Sequence, residues 1–167
     1  MKYYVSMVLI SMAVLTKINV HAQGNEEPYL KVEGEVIQSL KLYQSDLEKM
    51  KRITVKHKGH DTIEHSYTGV PVTEILNKAG VTMGKQLRGK NMAKYLLVTA
   101  ADGYKVVFSL VELDSSFNDK QVILADKMDD KPLPDSFGPF QIIAAGEKKP
   151  TRSCYHVTPF IIRSVSD

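Results

Sequence analysis

From Leu30 onward the apolar positions fall into short runs separated by polar turns, a pattern of many short strands with few helices. The clearest block is Tyr95 to Asp126. Tyr95–Ala100 is apolar and rich in aromatic and β-branched residues, Asp102-Gly103 is a turn pair in which the glycine takes φ > 0 without steric cost, and Tyr104–Ser109 returns as a second strand. Ser109 and Glu112 have capping-box spacing for one helical turn, and Val122–Ala125 is a third strand. Upstream, Leu30–Ile37 alternates in part, with Gly34 as a bulge, and Leu40–Tyr43 is another strand. Ser45 followed by Glu48 opens a short helix through Met50. Arg52–His57 places Ile53 and Val55 on one face and Thr54 and Lys56 on the other. Thr62–Tyr67 is its partner across a loop at Lys58–Asp61. Pro71 starts a helix that Val72–Ala79 continues and Gly80 ends. Downstream, Asp129–Pro132 is a turn, Phe140–Ala144 a strand and Gly146–Pro150 a polar loop, with closing strands at Ser153–Val157 and Phe160–Val165. With no repeat and no linker, these elements make one α+β domain over residues 30–167.

The first 22 residues follow a different plan. Lys2 gives a basic start, Val5–Leu15 is an apolar run too short for a comfortable membrane span, and Val20-His21-Ala22 is a small-residue cleavage site. Residues 1–22 therefore read as a secretory signal peptide and 23–29 as a flexible tail, so the mature chain is expected to be exported, periplasmic or secreted, and free of the membrane. The formal charge of +3 includes Lys2 and Lys17 of that leader, so the mature chain is nearly neutral and gives no electrostatic footprint for nucleic acid. The basic run of Lys85, Arg88, Lys90 and Lys94 reads as a solvated face. The single cysteine, Cys154, excludes an internal disulfide framework, so stability must come from packing.

Several segments together carry a resemblance. Val98-Thr99-Ala100-Ala101-Asp102-Gly103-Tyr104, Phe108-Ser109-Leu110, Leu124-Ala125-Asp126, Lys131-Pro132-Leu133-Pro134 and Gly138-Pro139 occur in the order and spacing of the molybdopterin-binding domain of the sulfite oxidase family. The helix read as Gly69-Val70-Pro71-Val72, Ile75-Leu76, Ala79-Gly80 resembles the family's helix as well. The resemblance runs from about Leu30 to the C-terminus and implies mixed β-sheets forming a partial barrel with short helices. It also implies a molybdopterin cofactor whose molybdenum takes a cysteine thiolate from a "C-x-G-N"-like loop after an Ile-x-Val strand. Here that strand is Ile53-Thr54-Val55, and the following residues, Lys56-His57-Lys58-Gly59-His60-Asp61, contain no cysteine. Cys154 lies far downstream of the ligand position.

That departure leaves two functions in view. One is a ligand-binding or interaction module on this fold, holding a small anionic or pterin-like ligand and meeting a redox or envelope protein partner. The other is a molybdenum-cofactor oxidoreductase, an oxotransferase or electron-transfer subunit, with a substituted ligand. No catalytic residue and no metal ligand is assigned. The candidate ligand-binding residues are Tyr104, which the resemblance places near an active-site tyrosine, Arg152 at a basic position of the family, and His57, Lys58, His60 and Asp102. A phenol, a guanidinium and imidazoles are the donors an oxyanion or a pterin edge needs. The spacing of His57, His60 and His65, with Asp61 and Glu64 between them, also suits zinc or copper on paper. Exposed hairpin histidines are the plainer explanation. Without a G-x-S-x-G elbow, the serines and histidines do not form a nucleophile motif.

Overall fold

The structure, a computed structural model, describes residues 26–165, so the segment read as a signal peptide lies outside the described residues. Among the described residues, ten strands form two five-stranded sheets. In the first, β1 (Tyr29–Gly34) pairs antiparallel with β2 (Leu40–Tyr43) and parallel with β10 (Val157–Ser164). Antiparallel β5 (Lys94–Ala100) and β6 (Lys105–Ser109) complete it. In the second, β3 (Ile53–Lys58) and β4 (Glu64–Pro71) form a hairpin whose second strand, β4, joins β7 (Val122–Met128). The two-residue β8 (Lys131–Pro132) and β9 (Gln141–Ala144) both pair with β7.

One apolar core spans both sheets. Leu30, Val32, Leu96, Val98, Phe108, Phe160 and Ile162 of the first meet Val70, Leu124, Ile142 and Ala144 of the second. Ile75 and Leu76 of α2 (Val72–Lys78) and Leu110 and Leu113 of α3 (Leu110–Leu113) seal its ends. The alternate residues of the second sheet, Val55, Tyr67, Ile123, Ala125 and Ile143, pack in a smaller cluster on its other face. Strand alternation thus gives that sheet two buried faces.

The local chemistry explains most elements. Gly103 has φ 87° in the β5–β6 turn, where its N–H bonds to Ala100 O at 3.0 Å. At α3 the capping box is complete: Val111 N–H donates to Ser109 Oγ at 3.2 Å and Ser109 N–H to Glu112 Oε1 at 2.8 Å. Gly80, at φ 70°, ends α2. Two expectations need correction. The first helix, α1 (Gln44–Glu48), begins before Ser45: Tyr43 N–H donates to Asp46 Oδ2 at 3.1 Å, and Ser45 N–H donates to Glu27 Oε1 instead of forming a box with Glu48. The segment Ser153–His156 is not a strand. His156 sits at φ 48°, so the chain turns there, and one strand, β10, replaces the two expected.

Candidate functional site

The β3–β4 hairpin, the β5–β6 turn and the segment between β9 and β10 meet at one end of the molecule. His57 and His65 are direct cross-strand partners in the hairpin. His57 is buried, and its Nε2 lies 3.1 Å from Ser153 Oγ. That oxygen also accepts Ala144 N–H at 3.3 Å, so its own proton is free to point at the imidazole. Burial lowers the His57 pKa, with Glu147 opposing and His60 reinforcing the shift, so the ring is held neutral as an acceptor. His65 has the opposite surroundings. Nδ1 is 2.6 Å from Asp129 Oδ2 and Nε2 is 3.1 Å from Asp61 Oδ2, an arrangement that needs a proton on each nitrogen. Its pKa is raised by the hydrogen bond to Asp129 first and by Asp61 next. The three histidines therefore do not converge on an ion, and among the described residues no group of three or more metal-ligating side chains is placed to hold one.

Five of the six site residues read from the sequence are distributed over two adjoining cavities. His57 and Lys58 line one of about 420 Å³ together with Lys56, Gly59, Glu64, Glu147 and Lys148. His60, Asp102 and Tyr104 line the other, of about 300 Å³, with Thr151, Ser153, Cys154 and Tyr155. Pro150 borders both, and the His57–Ser153 hydrogen bond joins their walls. Tyr104 stays where the turn sets it. Its N–H binds Asp102 Oδ1 at 2.8 Å and its hydroxyl donates to Thr151 O at 2.8 Å.

Arg152 is not among the lining residues of either cavity. Its guanidinium lies 4.5 Å over the Phe108 ring and donates to Glu112 Oε1 and Oε2, both at 3.1 Å, to Glu147 and to Val107 O at 3.1 Å. Expected as an anion holder, it is instead held by two carboxylates of its own fold, Glu112 foremost, which raise its pKa further. Cys154, far along the chain from the Lys56–Asp61 loop, walls the smaller cavity. Burial pushes its thiol up to about 11, with Asp102 adding to the shift, so it is protonated at neutral pH. Sequence reading also missed Ser153, Tyr155 and Lys148. Nothing in their spacing marks them, because a loop without periodicity carries them to the site.

A thiolate-held molybdenum does not fit this donor set. The segment Lys56–Asp61 that follows the Ile53-Thr54-Val55 strand holds no cysteine, and its His57 imidazole is buried against Ser153. The single thiol is on another wall and protonated. The arginine available for the cofactor's phosphate is already bonded to Glu112 and Glu147.

No curated protein matches the sequence. Among solved structures, the sulfane dehydrogenase SoxCD from Paracoccus pantotrophus is similar in fold, with a TM-score of 0.64 at 19% sequence identity. The match covers 83% of this chain and 39% of that one, so this chain spans about two-fifths of its relative. The model of the oxidoreductase molybdopterin binding domain matches residues 17–146, ending before Arg152 and Cys154. With more than half the chain matched, and with the sheets, turn and helix in the expected order, the chain belongs to the oxidoreductase molybdopterin binding domain family.

Proposed function

We propose that this chain is an exported, single-domain ligand-binding module on the molybdopterin-domain fold, and that it works without the metal-ligating thiolate. The observation that carries this reading is His57. It lies in the cysteine-free segment after the Ile53-Thr54-Val55 strand, as a buried neutral imidazole hydrogen-bonded to Ser153. The ligand is a small anion, such as a phosphate or a pterin-type oxyanion, seated in the cavity that Lys56, Lys58 and Lys148 surround. Lys56 is paired with Glu64 at 3.5 Å and Glu147 with Arg152, which leaves Lys58 and Lys148 as cations without an ion-pair partner among the described residues. A redox or envelope protein is the partner class that the family and the N-terminal pattern support. Export rests on the basic start, apolar run and Ala22 cleavage site.

One experiment tests the reading: native mass spectrometry of the protein purified from a host that makes molybdenum cofactor. The expected spectrum is a chain beginning near Gln23, with no molybdenum, that gains mass on addition of inorganic phosphate. Stoichiometric molybdenum would establish the working oxidoreductase with a substituted ligand instead, and retention of residues 1–22 would refute export.

A further inference from the structure

We propose that the smaller cavity, between His60, Asp102, Tyr104 and Tyr155, is a separate subsite for a small organic cation, an amine or quaternary ammonium group. The proposal rests on the ligand-binding reading above but reverses the charge expected at three of the residues first read as anion binders.

The lining of this cavity is acidic and aromatic rather than basic. It has one carboxylate, Asp102, and no lysine or arginine. Arg152 follows Thr151 in sequence, but Glu112 and Glu147 hold its guanidinium. The lysines nearby, Lys56, Lys58 and Lys148, line the neighbouring cavity. Asp102 is fixed by the bond from Tyr104 N–H to Oδ1, while Oδ2 accepts no hydrogen bond among the described residues. Its charge is felt at Cys154 on the cavity wall.

The remaining walls suit a cation. Tyr104 is tethered through its hydroxyl to Thr151 O, so its ring is preorganised although the residue is 49% exposed. Tyr155 stacks on Phe137 at 4.7 Å with an interplanar angle of 17°, which fixes the second ring. Aromatic rings attract a cation through their quadrupole, and a carboxylate beside them adds direct charge pairing. An anion here would lie next to the Asp102 carboxylate with no lysine or arginine among the lining residues to offset the repulsion. At about 300 Å³ the cavity lies at the small end of ligand sites, which selects a compact head group over a bicyclic cofactor.

The test is calorimetric titration of the mature protein with choline chloride and, separately, with sodium phosphate. Choline is expected to bind saturably. Asp102→Asn should weaken choline about tenfold, because it removes the charge but keeps an oxygen for Tyr104 N–H. Tyr104→Leu should weaken it similarly, with both variants showing the parent's circular dichroism. Phosphate affinity should be unmoved by Asp102→Asn and reduced by Lys58→Ala. Unchanged choline affinity in Asp102→Asn overturns the proposal, as does tighter phosphate binding in that variant. Phosphate binding that depends on Lys58, with no choline binding, overturns this subsite and leaves the anion-binding module standing. Binding of neither probe overturns both.

Discussion

At the scale of single residues, the strongest local design is the pair of carboxylates around His65. Asp61 closes the tip of the β3–β4 hairpin, where its Oδ1 accepts Ile63 N–H at 3.0 Å. Asp129 belongs to the β7–β8 turn, where Asp129 and Asp130 both take positive φ and Asp129 Oδ1 accepts Ser66 N–H at 2.9 Å. The imidazolium joins these two turns. Its folded pKa is raised, so the stability it contributes is fully present below the ordinary histidine value of about 6.5 and is lost as pH rises through the folded value. The pKa values of Asp61 and Asp129 are lowered, by the hydrogen bond from His65 foremost at Asp61 and by that from Ser66 N–H foremost at Asp129. Their contribution is present above the ordinary carboxylate value and disappears as pH falls through the folded values. The three-residue link is therefore strongest between the two sets of folded values. NMR titration should find His65 above about 6.5, and urea stability measured as pH rises past that point should fall in the parent and stay flat in His65→Gln. A normal His65 titration would contradict the ion-pair geometry. His57, in the same hairpin, shifts the other way because burial disfavours its charged form, with His60 reinforcing and Glu147 opposing the effect. Identical residue types in one hairpin thus have opposite charge states, which spacing alone does not reveal.

At the scale of elements, Arg152 shows how a site residue read from sequence becomes a brace. It lies in the 3-10 turn Pro150–Arg152 and reaches the backbone of edge strand β6 at Val107, the carboxylate of Glu112 in α3 and Glu147 in the loop after β9. Three separate pieces of chain are held by one planar fork, a geometry lysine does not reproduce. Arg152→Ala leaves two carboxylates facing each other without a cation. The expected loss is about 2 kcal/mol in urea unfolding, below the range of fully buried pairs because the side chain is 28% exposed. Phosphate affinity should be unchanged. A large loss of affinity at unchanged stability would restore Arg152 as a ligand-binding residue. The same elements show what the sequence could and could not convey. The β5–turn–β6–α3 unit was legible because alternation, a glycine at positive φ and a capping box are local signals. The β3–β4 pairing was legible for the same reason. The split of the candidate site into two cavities was not, because it depends on the course of residues 145–156. There the backbone follows long-range contacts such as Ile142 N–H to Cys154 O and His156 N–H to Phe137 O. Arg152 and Glu112 are 40 positions apart, and no sequence pattern predicts that pairing.

At the scale of the whole molecule, the decisive feature is that the two sheets share one core. Phe160 lies on β10, the central strand of the first sheet, and is fully buried in the cluster that also holds Val70, Leu124 and Ile142 of the second. Parallel pairing of β1 with β10 brings the first and last described strands together, so the first sheet is not complete until the C-terminal strand is in place. The single cysteine is free, so no covalent staple divides the molecule into parts of different stability. These facts together predict one cooperative transition rather than two. Phe160→Ala removes a ring from the middle of the shared core and should cost about 3–5 kcal/mol. Because the cavity borders both sheets, far-UV circular dichroism and tyrosine fluorescence should move together to the lower midpoint. Fluorescence is a usable second probe because the chain has no tryptophan, and because Tyr67 on β4 and Tyr95 on β5 report on different sheets. Reducing agent should leave both curves where they are. A Phe160→Ala melt in which the two probes separate would show that the sheets hold independent cores, and the shared-core account would then fail.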